Sequence, residues 1–152
     1  GSVKVGVTRK TQVPYRWIDQ GAHEAMVVLE TPNRYLAGIA EVALKEHVSD
    51  KTKWRSMLKN EIEDLDLKAI KQELKTYLPD ETKEFYKANQ EETNINFPVK
   101  IYPDKVKSLN LTKTKSYSGK LTGIKGQYLM FEDNTVFNVR SHSGFVVDLN
   151  IG

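Results

Sequence analysis

Hydrophobic and polar positions divide the chain into two regimes, helical spacing with short apolar runs up to about residue 96 and short alternating runs after it. Residues 3–7 alternate valine with lysine and glycine, which predicts a short strand in which Gly6 lets another backbone approach. Residues 8–13 are polar and basic and read as a loop. Pro14 suits a first helical turn, and Tyr15, Ile18 and Ala22 recur at three- and four-residue spacing behind it. The apolar run 25–31 is short and rich in β-branched residues, so a buried strand is expected there, ended by Thr31-Pro32-Asn33. A second helix is expected over 34–47, with Ile39, Val42 and Ala43 on one face. A third, capped by Ser49 or Asp50, carries Trp54, Met57 and Leu58.

Residues 61–88 continue the helical pattern, with Ile62, Leu65, Ile70, Leu74, Leu78 and Phe85 forming a stripe among charges. Leu78-Pro79-Asp80 breaks it, and Asp80 reads as the N-cap of a restart. The polar stretch 87–96 reads as a linker. Beyond Phe97, strands are expected near 99–101, 106–111, 117–124, 127–131, 136–139 and 145–149, with a hairpin turn at Glu132-Asp133-Asn134. Glycines at 119, 123, 126 and 144 punctuate a small antiparallel sheet or partial barrel. The expected class is α/β in the α+β sense: a core over 3–60, a helical extension and linker over 61–96, and an antiparallel β subdomain over 97–151.

Composition narrows the function classes. With 39% hydrophobic and 28% charged residues among 152, the chain has the make-up of a folded domain. It contains no cysteine, which excludes disulfides, thiolate metal sites and cysteine nucleophiles and fits a cytoplasmic setting. No apolar run approaches membrane-spanning length, so no membrane partner is expected. Gly1-Ser2 reads as a cleavage scar, and the abrupt start as a cut from something longer. Net charge is only +3, but its distribution is uneven. Lys4, Arg9, Lys10 and Arg16 precede the first acid, and Lys105, Lys107, Lys113, Lys115, Lys120 and Lys125 fall in a second basic region. Both would attract a polyanion. The plainer reading of the second region is solvated strand edges.

The three histidines, at 23, 47 and 142, lack metal-ligand spacing and read as structural. Ser141-His142-Ser143 lacks a nucleophile elbow, and Gly123-Ile124-Lys125-Gly126 lacks the rest of a phosphate loop, so its glycines are assigned to turns. The combination that can carry chemistry is Val5-Gly6, Thr8, Arg16 and Glu41. An arginine neutralises charge on a phosphate, and one carboxylate can hold a hydrated magnesium ion beside it. Glu41 sits between Ala40 and Val42 in the most apolar part of its helix, where a carboxylate needs a partner. The alternatives are a surface ion pair of Arg16 with Asp19 and a solvated position for Glu41.

Lys4-Val5-Gly6-Val7-Thr8, Arg16-Trp17 and Glu41 resemble the GIY-YIG nuclease module. Lys4-Val5-Gly6-Val7-Thr8-Arg9, Arg16-Trp17-Ile18-Asp19-Gln20-Gly21-Ala22, Asp50-Lys51-Thr52-Lys53-Trp54 and Gly123-Ile124-Lys125-Gly126-Gln127-Tyr128-Leu129 are similar, over nearly the whole chain, to the bacterial family called domain of unknown function 2797. The GIY-YIG resemblance implies a three-stranded sheet flanked by helices, a nucleic-acid phosphodiester as substrate and magnesium as cofactor. By position it makes Arg16 the phosphate-contacting arginine, Glu41 the metal ligand and Thr8 a neighbour of the phosphate. Lys4 stands where that module has its second tyrosine, and the strand that would bear the first lies before Val3, leaving a sheet edge open to self-association. The expectation is a nucleic-acid-binding domain, either a magnesium-dependent endonuclease or a binding or interaction module that keeps the fold without catalysis.

Overall fold

A computed structural model describes residues 2–49 and 52–152. It is a mixed α+β protein. Helix α1 (Tyr15–Asp19) and strand β1 (Glu24–Ala25) are followed by α2 (Arg34–Lys45), α3 (Trp54–Leu58) and α4 (Leu67–Lys75). The remaining strands are β2 (Thr93–Asn94), β3 (Lys107–Ser108), β4 (Leu121–Lys125), β5 (Tyr128–Phe131) and β6 (Thr135–Asn138).

Capping chemistry explains where the helices start and stop. Asn33 accepts from Leu36 N at 3.0 Å and begins α2, and Asp66 accepts from Ala69 N at 3.0 Å and begins α4. Helix α1 ends in a Schellman motif: Ala22 N donates to Trp17 O at 3.1 Å and Gly21 N to Ile18 O at 3.0 Å, with Gly21 at φ +70°. Helix α3 ends in the same way, with Asn60 at φ 56° and Glu61 N donating to Ser56 O. That second motif turns the chain out of helical geometry at Asn60, so the helix expected from residue 61 starts instead at Leu67. Asp50 lies outside the described residues, and α3 has Lys53 at its N-cap position without a side-chain cap. The expected restart at Asp80 is a 3-10 helix, Asp80–Phe85, with Pro79 at the cap position. Asp80 pairs with Lys83 at 2.7 Å rather than capping.

The sheets are smaller than the apolar runs suggest. Residues 3–7 contribute one parallel bridge, Lys4 to Ser49, with Val5 N donating to Ser49 O at 3.0 Å. The run 25–31 is extended, but it pairs only as β1 with β2 and through a bridge from Leu29 to Tyr86. Among the described residues, no three-stranded sheet of the kind implied by the GIY-YIG resemblance assembles in this half. The second sheet has the order β3-β6-β5-β4, with β3 parallel to β6 and the rest antiparallel. The turn at Glu132-Asp133-Asn134 joins β5 to β6 as expected, with Asn134 at φ 68° and Asp133 accepting from Thr135 N at 3.0 Å. Residues 145–149, expected to be the last strand, form none and lie outside the sheet.

Two apolar clusters hold these parts. Ala40, Leu44, Leu74 and Leu78 join α2 to α4, with Val5, Val28 and Leu29 packed alongside. Leu58, Met130 and Val136 join α3 to the larger sheet. The molecule exposes 10578 Å² of surface, against about 7,900 Å² expected for a compact chain of this mass. Part of the excess lines a deep cleft between the two clusters.

Candidate functional site: a cleft lined by charges of both signs

The cleft has a volume of about 830 Å³. Leu44, Leu74 and Ile70 form one wall, Met57 and Lys125 another, and residues 2–8 and 20–31 complete the lining. Arg16, Glu41, Thr8, Lys4 and Lys10 are all among its lining residues. Tyr15 and Tyr35 are 68% and 71% exposed and neither lines the cleft.

Helix α1 carries Arg16, and its position is fixed at the C-terminal end. The β4–β5 turn places Gly126, at φ +60°, against α1: a Cβ on Gly126 would lie 2.9 Å from Asp19 O and 3.2 Å from Gly21 N. Only a glycine lets these two backbones meet there. Arg16 itself is half-buried and makes no hydrogen bond or ion pair among the described residues, so the pair with Asp19 does not form. Its guanidinium is therefore available to a ligand.

The acids around the cleft are mostly occupied. Glu30 faces Lys10 at 3.2 Å and Lys87 at 3.9 Å, Glu61 faces Lys59 at 2.6 Å, and Glu41 faces Lys45 at 3.8 Å. Two lysines on the same lining have no carboxylate partner among the described residues. Lys125 is 2% exposed, donates to Asn60 Oδ1 at 3.1 Å, and lies 5.1 Å from the Tyr102 ring centre and 5.5 Å from that of Phe97. Lys71 is 5% exposed, donates to the Lys87 carbonyl and lies over Tyr86. Burial pushes both ammonium pKa values down, because an amine out of water resists its charge. Both line the cleft.

Of the other expected residues, Lys4, Thr8 and Lys10 line the cleft and the rest lie outside it. Lys4 is half-buried and donates to Thr52 Oγ1 at 3.2 Å, and the Thr8 hydroxyl donates to Arg9 O at 3.4 Å. Arg9 is exposed and outside the cleft lining. Lys105, Lys107, Lys113, Lys115 and Lys120 are exposed on the β half, apart from the cleft. Lys125 does not belong with them: Thr122, Gly123 and Lys125 are the buried positions of β4.

The three histidines sit in different surroundings. His142 Nε2 accepts from Leu111 N at 3.2 Å and its Nδ1 meets Asn138 O at 2.8 Å, while His47 stacks on Tyr77 at 3.5 Å. These are structural. His23 lines the cleft, and its buried Nε2 has no hydrogen-bond partner, with Glu24 Oε1 at 3.7 Å. Lys71 was legible in principle, since it falls within the stripe 67, 70, 74, 78 that α4 buries. Nothing in the sequence places His23.

Among the described residues no three histidine or acidic side chains gather as a metal site. Glu41 offers a single carboxylate that already faces an ammonium. That donor set does not make a magnesium site of its own, because the ion takes six oxygens and commonly has one or two carboxylates plus substrate phosphate.

No helix among the described residues is long and apolar enough to cross a membrane. No curated protein and no solved structure matches the chain. The family model described as a protein of unknown function, DUF2797, matches residues 1–147, and the chain belongs to that family.

Proposed function

We propose that the cleft binds the phosphodiester backbone of a nucleic acid. The observation that carries this reading is that Arg16, Lys71 and Lys125 line one cleft and have no carboxylate partner among the described residues, while Glu30, Glu41 and Glu61, three of the six glutamates on the same lining, are paired with lysines. An uncompensated buried ammonium is costly, and a phosphate is the ligand that offsets that cost for several cations at once. The exposed lysines at 105, 107, 113, 115 and 120 supply a second, less specific electrostatic contact. Fluorescence anisotropy with a labelled oligonucleotide across a salt series tests the reading. Affinity falls steeply with salt, Arg16→Ala weakens it by about tenfold, the loss of one charge-assisted contact, and alanine at Lys105, Lys107 and Lys113 flattens the slope. Affinity indifferent to salt and to Arg16 contradicts it.

The resemblance to the GIY-YIG module supports a second reading, magnesium-dependent cleavage with Glu41 as the metal ligand. The supporting observation is that Glu41 faces the same cleft as Arg16 and Thr8. Glu41→Gln then abolishes magnesium-dependent cleavage and leaves binding intact; unchanged cleavage removes Glu41 from the chemistry. For self-association, the support is the unpaired apolar tail at residues 145–151, where Val146 is 99% exposed. Sedimentation velocity tests it, and a single monomeric species at every concentration contradicts it.

A further inference from the structure

Lys71 and Lys125 lie at depth, so a ligand reaches them only by entering the cleft. A double helix presents its phosphates on the outside and keeps its bases stacked, and its backbone would meet the exposed lysines of the β half instead. The interior is not simply cationic. Trp17 and Met57 line it beside Val27 and Val28, giving apolar and aromatic surface, and Asn60 also lines it with the amide that holds Lys125. Unstacked bases are recognised by apolar or aromatic surface on the ring and by polar groups at its edge. The volume of about 830 Å³ is within the range that encloses a small molecule and exceeds what one base needs. His23 adds a buried ring nitrogen without a partner on the same lining.

We propose that the cleft takes a single unpaired nucleotide, from a single-stranded segment or a strand end, with its base against Trp17 and Met57 and its phosphate toward Arg16, Lys71 and Lys125. This rests on the reading of the cleft as a phosphodiester site and names the form of nucleic acid it accepts. Buried cations then act as a filter: a phosphate that cannot enter leaves Lys71 and Lys125 with only neutral partners, the Lys87 carbonyl and the Asn60 amide.

Competition against a bound, labelled single-stranded oligonucleotide tests the inference with the unaltered chain. An unlabelled single strand displaces the probe at a concentration at least about tenfold below that of a blunt duplex of the same sequence, since one base stacked in the site is worth that much or more. A nucleoside monophosphate also displaces it, at higher concentration. Lys71→Met and Lys125→Met, checked for folding by thermal melts, weaken single-strand binding by about tenfold each and leave duplex binding unchanged. A duplex that competes equally well, or a monophosphate that fails to compete, overturns the inference while the phosphodiester reading stands. Absence of binding to any oligonucleotide overturns both.

Discussion

Substituting Gly126 by alanine tests how the β half positions α1. The residue sits at φ +60°, where an L side chain costs about 1–2 kcal/mol. The new Cβ would lie 2.9 Å from Asp19 O, a backbone atom that no rotamer change removes, and relief of such overpacking costs about 1–3 kcal/mol. The unfolded chain loses some freedom on gaining a Cβ, which returns about 0.4–1 kcal/mol. The net is a destabilisation near 3 kcal/mol. With an unfolding entropy of about 2.1 cal/mol/K per residue over 152 residues, each kcal/mol moves the melting temperature by about 3 °C, so Gly126→Ala melts about 9 °C lower. Calorimetry or circular dichroism measures this, with Gly6→Ala as the control, since a Cβ there meets nothing within 4 Å. If α1 is held as described, the surviving folded fraction of Gly126→Ala also binds oligonucleotide more weakly, because Arg16 is displaced. A melting temperature within about 3 °C of the parent refutes the account of that contact.

Other perturbations separate packing from charge. Gly38 lies in the middle of α2 with open space around it, so Gly38→Ala raises stability by about 1 kcal/mol, read as a higher urea midpoint. Leu44 is 1% exposed in the first apolar cluster, and Leu44→Ala costs about 2–5 kcal/mol in the same denaturation assay. The pKa values of Lys71 and Lys125 are lowered from 10.5 by burial, so between the folded and unfolded values the unfolded chain binds more protons and stability rises with pH. Burial raises Tyr102 and Tyr117 from 10.0, which opposes this rise on the alkaline side. The difference between the parent and Lys125→Met therefore isolates the effect: the variant shows a shallower rise of urea midpoint with pH below 10, and identical profiles contradict the buried-charge assignment.

The elements legible in the sequence were those with local causes. Asn33 ahead of an apolar helical face marked α2, and Glu132-Asp133-Asn134 marked the β5–β6 turn. Both glycines of Gly123-Ile124-Lys125-Gly126 were assigned to turns, but Gly123 lies within β4 against Val99, and the reason for Gly126 is the α1 backbone more than a hundred residues earlier. Residues 61–66 have helical composition, but the left-handed Asn60 and the cap at Asp66 override it. The tail at 145–149 has strand alternation but lies outside the sheet. Arg16 and Glu41, singled out by residue type and apolar company, both line the cleft, whereas the depth of Lys125 was not foreseen. Its burial is set by Asn60, Phe97 and Tyr102, which come from three separate stretches.

Hydrogen exchange of the unaltered chain, with and without a single-stranded oligonucleotide, tests the central claim most directly because it reports where the ligand lies. If the cleft is the site, exchange slows over residues 3–8, 16–17 and 20–28 and around Asn60, Lys71 and Lys125, all of which line it. Slowing confined to the lysine-rich stretch 105–120, with the cleft unchanged, would place binding on the β half and contradict the account.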